Sequence, residues 1–106
     1  METIDRAHLD AQTFGDRDLA RELLGLFADQ CRRILPLLSD PALSAQDRAD
    51  LAHTLKGSAA SVGARRVWAL CGAAETALRH ADEGDAAVAV LGPAVAAALA
   101  EIAASP

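Results

Sequence analysis

Apolar side chains return at three- and four-residue intervals in four separate stretches of this chain, and that period confines it to packed α-helices. Between Arg17 and Leu38 the series Leu19, Leu23, Leu26, Gln30, Ile34 and Leu37 marks a main stripe. Leu51, Leu55, Ser58 and Val62 form a second stripe, spanning about 60° of a helical wheel. Val67, Leu70, Cys71, Ala74 and Leu78 form a third, and Val88, Leu91, Val95, Leu99 and Ile102 a fourth. The residue mix agrees with the period. Hydrophobic residues make up 52% of the chain but aromatics only 3%, with no tyrosine and one tryptophan. An interior of alanine and leucine suits closely approaching helices better than sheets. One domain over residues 1–106 is expected, large enough for a single core without staples.

Local breakers divide the stripes. Thr3 is the expected cap of a short first helix, with Ile4 and Leu9 as its apolar contacts. Phe14-Gly15-Asp16 interrupts the chain, and Asp16 caps a second helix running to Leu38, with Pro36 near its end. Ser44 followed by Asp47 resembles a capping box, which starts the third helix near Ala45. Gly63 suits its left-handed C-cap. A fourth helix runs from Arg65 to about Ala81. Glu83-Gly84-Asp85 is a turn in which Asp85 caps a last helix, kinked at Gly92-Pro93 and ending near Ala103. Short connections between such helices predict an all-α, antiparallel up-down-up-down four-helix bundle with a short N-terminal lid helix. The uncharged run Ala86–Ala100 falls short of the roughly 20 residues a membrane span needs, and reads as a buried bundle helix.

Several function classes are disfavoured. A formal charge of −5 without a basic stripe argues against nucleic acid as partner. The pairs Arg32-Arg33 and Arg65-Arg66 read as solvated helix faces. Cys31 and Cys71 lack metal-ligand spacing and are expected as free thiols in a reducing cytosol. The N-terminal residues lack an apolar signal core. Neither a Gly-rich nucleotide loop nor an acidic metal cage is visible.

His53 stands out against this background. On a helix it lies roughly 160–200° from the Leu51/Leu55/Ser58/Val62 stripe. Its neighbours Ala49, Lys56, Gly57 and Ala60 are small apart from one cation. Gly57 in a helix interior costs on the order of 1 kcal/mol relative to alanine, so a cleared surface is expected there. Folding the next helix back at Gly63-Ala64 sets Ala74 or Glu75 at the height of His53. A carboxylate there fixes the imidazole tautomer and leaves the other nitrogen's lone pair free. Glu75 is equally placed to pair with Arg79 at i+4. His8, in the lid helix, and His80, at a helix C-terminus, are not competitors. The second helix carries a further apolar flank, Leu24, Ala28, Cys31 and Leu35, which is either covered by the first helix or open as a docking patch.

The string His53-Thr54-Leu55-Lys56-Gly57-Ser58, with Gly63 and Ala64 some ten residues past the histidine, resembles the signature of histidine phosphotransfer (HPt) domains of bacterial phosphorelays. The resemblance implies a phosphorelay intermediate rather than an enzyme. His53 would accept a phosphoryl group from a receiver-domain aspartate and pass it to another. Lys56 would offset phosphoryl charge, while Gly57, Ala49 and Ala60 would admit the partner. Glu75 falls where the family often places a Glu or Gln that orients the imidazole. Implied partners are response-regulator receivers and a hybrid histidine kinase, with Mg²⁺ supplied by the receiver and no cofactor or metal of the domain's own. A cytoplasmic monomer, away from membranes, is expected. A non-catalytic four-helix adaptor is the alternative from another class. A metal-dependent hydrolase would need facing ligands, and no Glu-x-x-His pair is present.

Overall fold

Side-chain caps decide where the helices begin. The computed structural model describes residues 3–80 and 84–104. Among them lie α1 (Arg6–Gln12), α2 (Arg17–Leu38), α3 (Ala45–Val62), α4 (Arg65–Arg79), α5 (Gly84–Ala89) and α6 (Leu91–Ala104). Asp16 accepts the Leu19 N–H at 3.0 Å, and Ser44 accepts the Asp47 N–H at 3.0 Å, so α2 and α3 start as expected. The cap of α1 is Asp5 and not Thr3, with the His8 N–H donating to its carboxylate at 3.1 Å. Thr3 is engaged elsewhere. Its N–H and that of Ile4 donate to Glu101 of α6 at 2.7 and 2.8 Å, and its hydroxyl donates to the same oxygen.

All the described segments are helical or connecting, and their contacts close a ring. α2 packs on α3, α3 on α4, α4 on α5 and α6, and α6 returns to α2, while α1 lies against α3 and α2. The expected single last helix is two. Pro93 has no N–H to give the Ala89 carbonyl, and the break falls at Val90. Asp85 sits within the first turn of α5 and pairs with Arg48 at 3.0 Å instead of capping. The expected turn residue Glu83 and helix end Ala81 lie outside the described residues. α4 ends at Arg79 with His80 as its C-cap. Gly84–Ala104 is long and apolar enough to cross a membrane by length and composition alone, although Val88, Leu91, Ala94, Val95 and Ala98 are buried in the core.

The core face of α2 differs from the sequence expectation by about 100° of helix rotation. Leu24, Phe27, Ala28, Cys31, Ile34 and Leu38 are buried, with Leu35 packed beside them. The flank expected as a docking patch is therefore interior. Of its four members only Leu35 is even partly accessible, and no patch exists there. The expected main stripe, apart from the buried Ile34, is the outer one. Leu26 is 58% exposed, Leu19, Leu23 and Leu37 are half-buried, and Gln30 accepts a hydrogen bond from the Ser58 hydroxyl. Both arcs of α2 are apolar, so periodicity could not separate them. Phe27, the largest side chain, decides the choice by packing inward. Cys31 and Cys71 are buried too, and burial pushes their thiols up to about 11 and about 12.

The α3–α4 turn is built on one residue. Gly63 adopts φ 76° and ψ 24°, the left-handed C-cap. Its carbonyl accepts the Asp5 N–H at 2.9 Å, and Arg65 pairs with the Asp5 carboxylate at 2.6 Å. A Cβ at position 63 would meet the Asp5 carbonyl oxygen at 2.9 Å, whereas one at Gly57 would meet nothing within 4 Å. The same substitution should thus have opposite signs at the two sites. Gly63→Ala should lower the unfolding free energy by more than about 1 kcal/mol, and Gly57→Ala should raise it by about 0.5–1 kcal/mol. Urea unfolding of both variants checks this; equal effects would refute it.

Candidate functional site

His53 reaches the surface from the edge of the α3–α4 seam. The buried face of α3 is Ala49, Ala52, Leu55, Ala59 and Val62. Its centre is rotated by about 70° from the Leu51/Leu55/Ser58/Val62 stripe, toward α4. Alanines carry this face because α4 lies against it with Val67, Cys71, Ala74 and Leu78. His53 is consequently not diametrically opposite the core. It stands at the rim of the seam, its side chain 68% exposed. Ala49 is fully buried in that seam and does not belong to a surface open to a partner. Gly57 and Ala60 are exposed beside the histidine.

α4 runs back along α3 so that three cross-helix contacts line up in register. Lys56 lies against Gly72, His53 against Glu75, and Asp50 against Arg79. His53 Nδ1 donates to Glu75 Oε1 at 3.1 Å. A carboxylate only accepts, so Nδ1 carries the proton and Nε2 keeps its lone pair when the ring is neutral. Glu75 is the less accessible partner, with 15% of its side chain exposed. Burial alone would push the Glu75 carboxyl up. Hydrogen bonds and charge from His53 and Arg79 outweigh that and hold it below the usual glutamate value.

Arg79 was legible only as an i+4 neighbour of Glu75, and Asp50 was not singled out by the sequence at all. In the structure Arg79 Nε donates to Glu75 Oε2 at 3.0 Å, with Nη2 in ion-pair contact with the same oxygen at 2.9 Å, and Nη2 donates to Asp50 Oδ1 at 3.0 Å. Both expected partners of Glu75 are therefore real and use different oxygens. Among the described residues, no group of three or more His, Cys, Asp or Glu side chains is placed to hold a metal ion.

The family model for the Hpt domain matches residues 22–105. The chain belongs to the Hpt domain family. No curated protein and no solved structure matched it. Hpt domains are phosphocarrier modules of histidine phosphotransfer relays, working with receiver domains and histidine kinases.

In this Hpt domain Lys56 does not stand free in solvent. Its Nζ lies 5.4 Å from the centre of the Trp68 ring, a cation–π contact that also lays its stem along Gly72. Trp68 is 46% exposed and lines a cleft of about 200 Å³ with His8, Ala60, Gly63 and Arg65. His8 Nε2 donates to the Ala60 carbonyl at 2.8 Å, which fastens α1 beside the site. His80 is the C-cap of α4.

The lowered Glu75 carboxyl makes a signed prediction. Above the ordinary value of 4.5 it is ionised in folded and unfolded chains alike, and its contribution to stability is complete. On acidification the unfolded chain binds the proton first, so the contribution disappears as pH falls through the lowered folded value. The stability difference between wild type and Glu75→Gln should therefore shrink toward acid. Chemical unfolding across a pH series measures it, and a difference that grows on acidification would contradict the assignment.

Proposed function

We propose that this Hpt domain relays a phosphoryl group through His53, taking it from one receiver aspartate and giving it to another. The observation that carries the reading is the exposed imidazole whose Nδ1 proton is held by Glu75, so that the Nε2 lone pair is available to an incoming phosphorus. In the forward step Nε2 attacks the phosphorus of an aspartyl phosphate in line. The P–O bond to the aspartate breaks, the carboxylate leaves with the electron pair, and an Nε2–P bond forms. The positive charge that develops on the ring is offset through Nδ1–H by Glu75, a preorganised acceptor. Lys56, one turn away, is in reach of phosphoryl oxygens by leaving its rest against Trp68. Such transfer depends mainly on positioning and charge, and the Mg²⁺ it uses would be the receiver's.

The whole chain acts in this reading as one up-down-up-down bundle with α1 as its lid, a cytoplasmic, monomeric, bacterial phosphocarrier without a nucleotide site of its own. Its kinase partner would be of the hybrid type. The receiver docks over Gly57 and Ala60. The docking surface extends to the outer arc of α2, where Leu26 lies one turn before Gln30 and Gln30 meets Ser58, the residue after Gly57. Exposed apolar surface next to a nucleophile is what a transient protein contact uses.

His53→Gln should abolish labelling by a panel of phosphorylated receiver domains and leave helicity and melting nearly unchanged. A labelled variant, or a wild-type chain that no receiver labels, would overturn the reading and favour a non-catalytic adaptor. Two further variants separate docking from chemistry. Gly57→Gln and Leu26→Glu should each slow transfer from a receiver through weaker binding, without loss of folding. A Gly57→Gln protein more stable than wild type and equally fast would show that the glycine does not serve docking.

A further inference from the structure

The network around His53 extends one step beyond Glu75, and that step addresses a mechanical problem. The terminal torsion of a glutamate side chain is broad and roughly two-fold, so its two oxygens exchange freely unless something distinguishes them. Here Arg79 does so. Its Nε and Nη2 converge on Oε2 at 3.0 and 2.9 Å, and Oε1 is left to accept from His53 Nδ1 at 3.1 Å. The guanidinium is itself held from the opposite helix, since Nη2 donates to Asp50 Oδ1 at 3.0 Å, one turn before His53. The hydrogen bonds to Glu75 and Asp50 also strengthen the hold of Arg79 on its proton, which keeps it a fixed cation.

Stability does not account for the Asp50 contact. The Asp50 side chain is 60% exposed, and an ion pair this accessible adds little to folding. Arg79 does, however, present a planar fork that a lysine cannot reproduce. A guanidinium that donates through Nε to Oε2 and through Nη2 to Asp50 keeps Oε2 turned toward itself, and the carboxylate in turn selects the proton position on the ring. Outer partners that orient a metal-bound histidine in this indirect way matter by about ten- to a hundredfold, and the same geometry operates on a histidine nucleophile.

We propose that Arg79, braced by Asp50, is the positioning residue that dedicates Glu75 Oε1 to His53 and so holds the imidazole with its proton on Nδ1 and its lone pair on Nε2. Arg79 acts only through Glu75. The inference rests on His53 as the phosphoacceptor, and it predicts an effect on the resting ring before any phosphoryl group arrives.

Two measurements test it. ¹⁵N chemical shifts of the imidazole nitrogens, at a pH where the ring is neutral, report which one carries the proton. Labelling by phosphoramidate, followed by ³¹P NMR, reports the nucleophile without a receiver: its P–N bond breaks, ammonia leaves, and an Nε2–P bond forms. Arg79→Met should shift the ring toward a mixture of tautomers and slow labelling by roughly ten- to a hundredfold, with little change in melting. Arg79→Lys retains the charge but not the fork and should fall between wild type and Arg79→Met. Asp50→Asn keeps an oxygen acceptor for Nη2 and should stay near wild type. An Arg79→Met protein with the wild-type tautomer overturns the inference, whether its labelling is unchanged or slowed. Wild-type protein that phosphoramidate and receivers both fail to label overturns the phosphoacceptor reading instead, while the nitrogen shifts still decide whether Arg79 positions the ring.

Discussion

The contact between α3 and α4 is the constraint from which the site follows. Ala49, Ala52 and Ala59 on one helix and Cys71 and Ala74 on the other present small side chains where the two pack. Interaxial distance depends on the side chains at the contact, and small ones bring helices toward the lower end of the range. Side chains of the two helices can then meet across the rim of the seam. Histidine meets glutamate and aspartate meets arginine there without long reaches, because Gly63 turns the chain back in register. A bulky leucine seam would move the helices apart and dissolve both contacts. The alanine content that looks like weak core material is thus what makes the polar network possible.

The division between structural and chemical demands is also spatial. The pairs around His53 lie on the accessible rim, where their energies are small, and the apolar ring of α2, α3, α4 and α6 carries the folding free energy. Gly57 is open above that rim and meets no neighbour that would forbid a side chain. Its helix-propensity cost therefore has no explanation in the packing of this chain, as the proposed docking of a receiver over Gly57 requires.

Much of this was legible in the sequence. The caps at Asp16 and Ser44 and the glycine turn at 63 combine local geometry with a side-chain choice that few other residues satisfy, so they stood as read. Reflection through that turn put Glu75 at the height of His53 because the helical rise is the same on both sides. The core faces were harder. On α2 two apolar arcs compete, and only three-dimensional packing of Phe27 settles which is inside. On α3 a stripe weighted by leucine missed the alanines, whose burial depends on how closely another helix comes. Thr3 reads as a cap because nothing local reveals that Glu101, nearly a hundred residues later, claims it. Asp50 and Arg79 were invisible as a pair for the same reason: each is an ordinary exposed charge until the hairpin closes.

The rest of Lys56 on Trp68 has an optical consequence. The chain contains one tryptophan and no tyrosine, so its near-ultraviolet emission comes almost wholly from a single indole. That indole is half in solvent and carries the ammonium of Lys56 over its face. Drawing the ammonium away toward an anion changes the charge above the ring and the water that reaches it. The domain thus contains its own fluorophore, placed one helix from the histidine, whose colour and intensity register the state of that surface without a label.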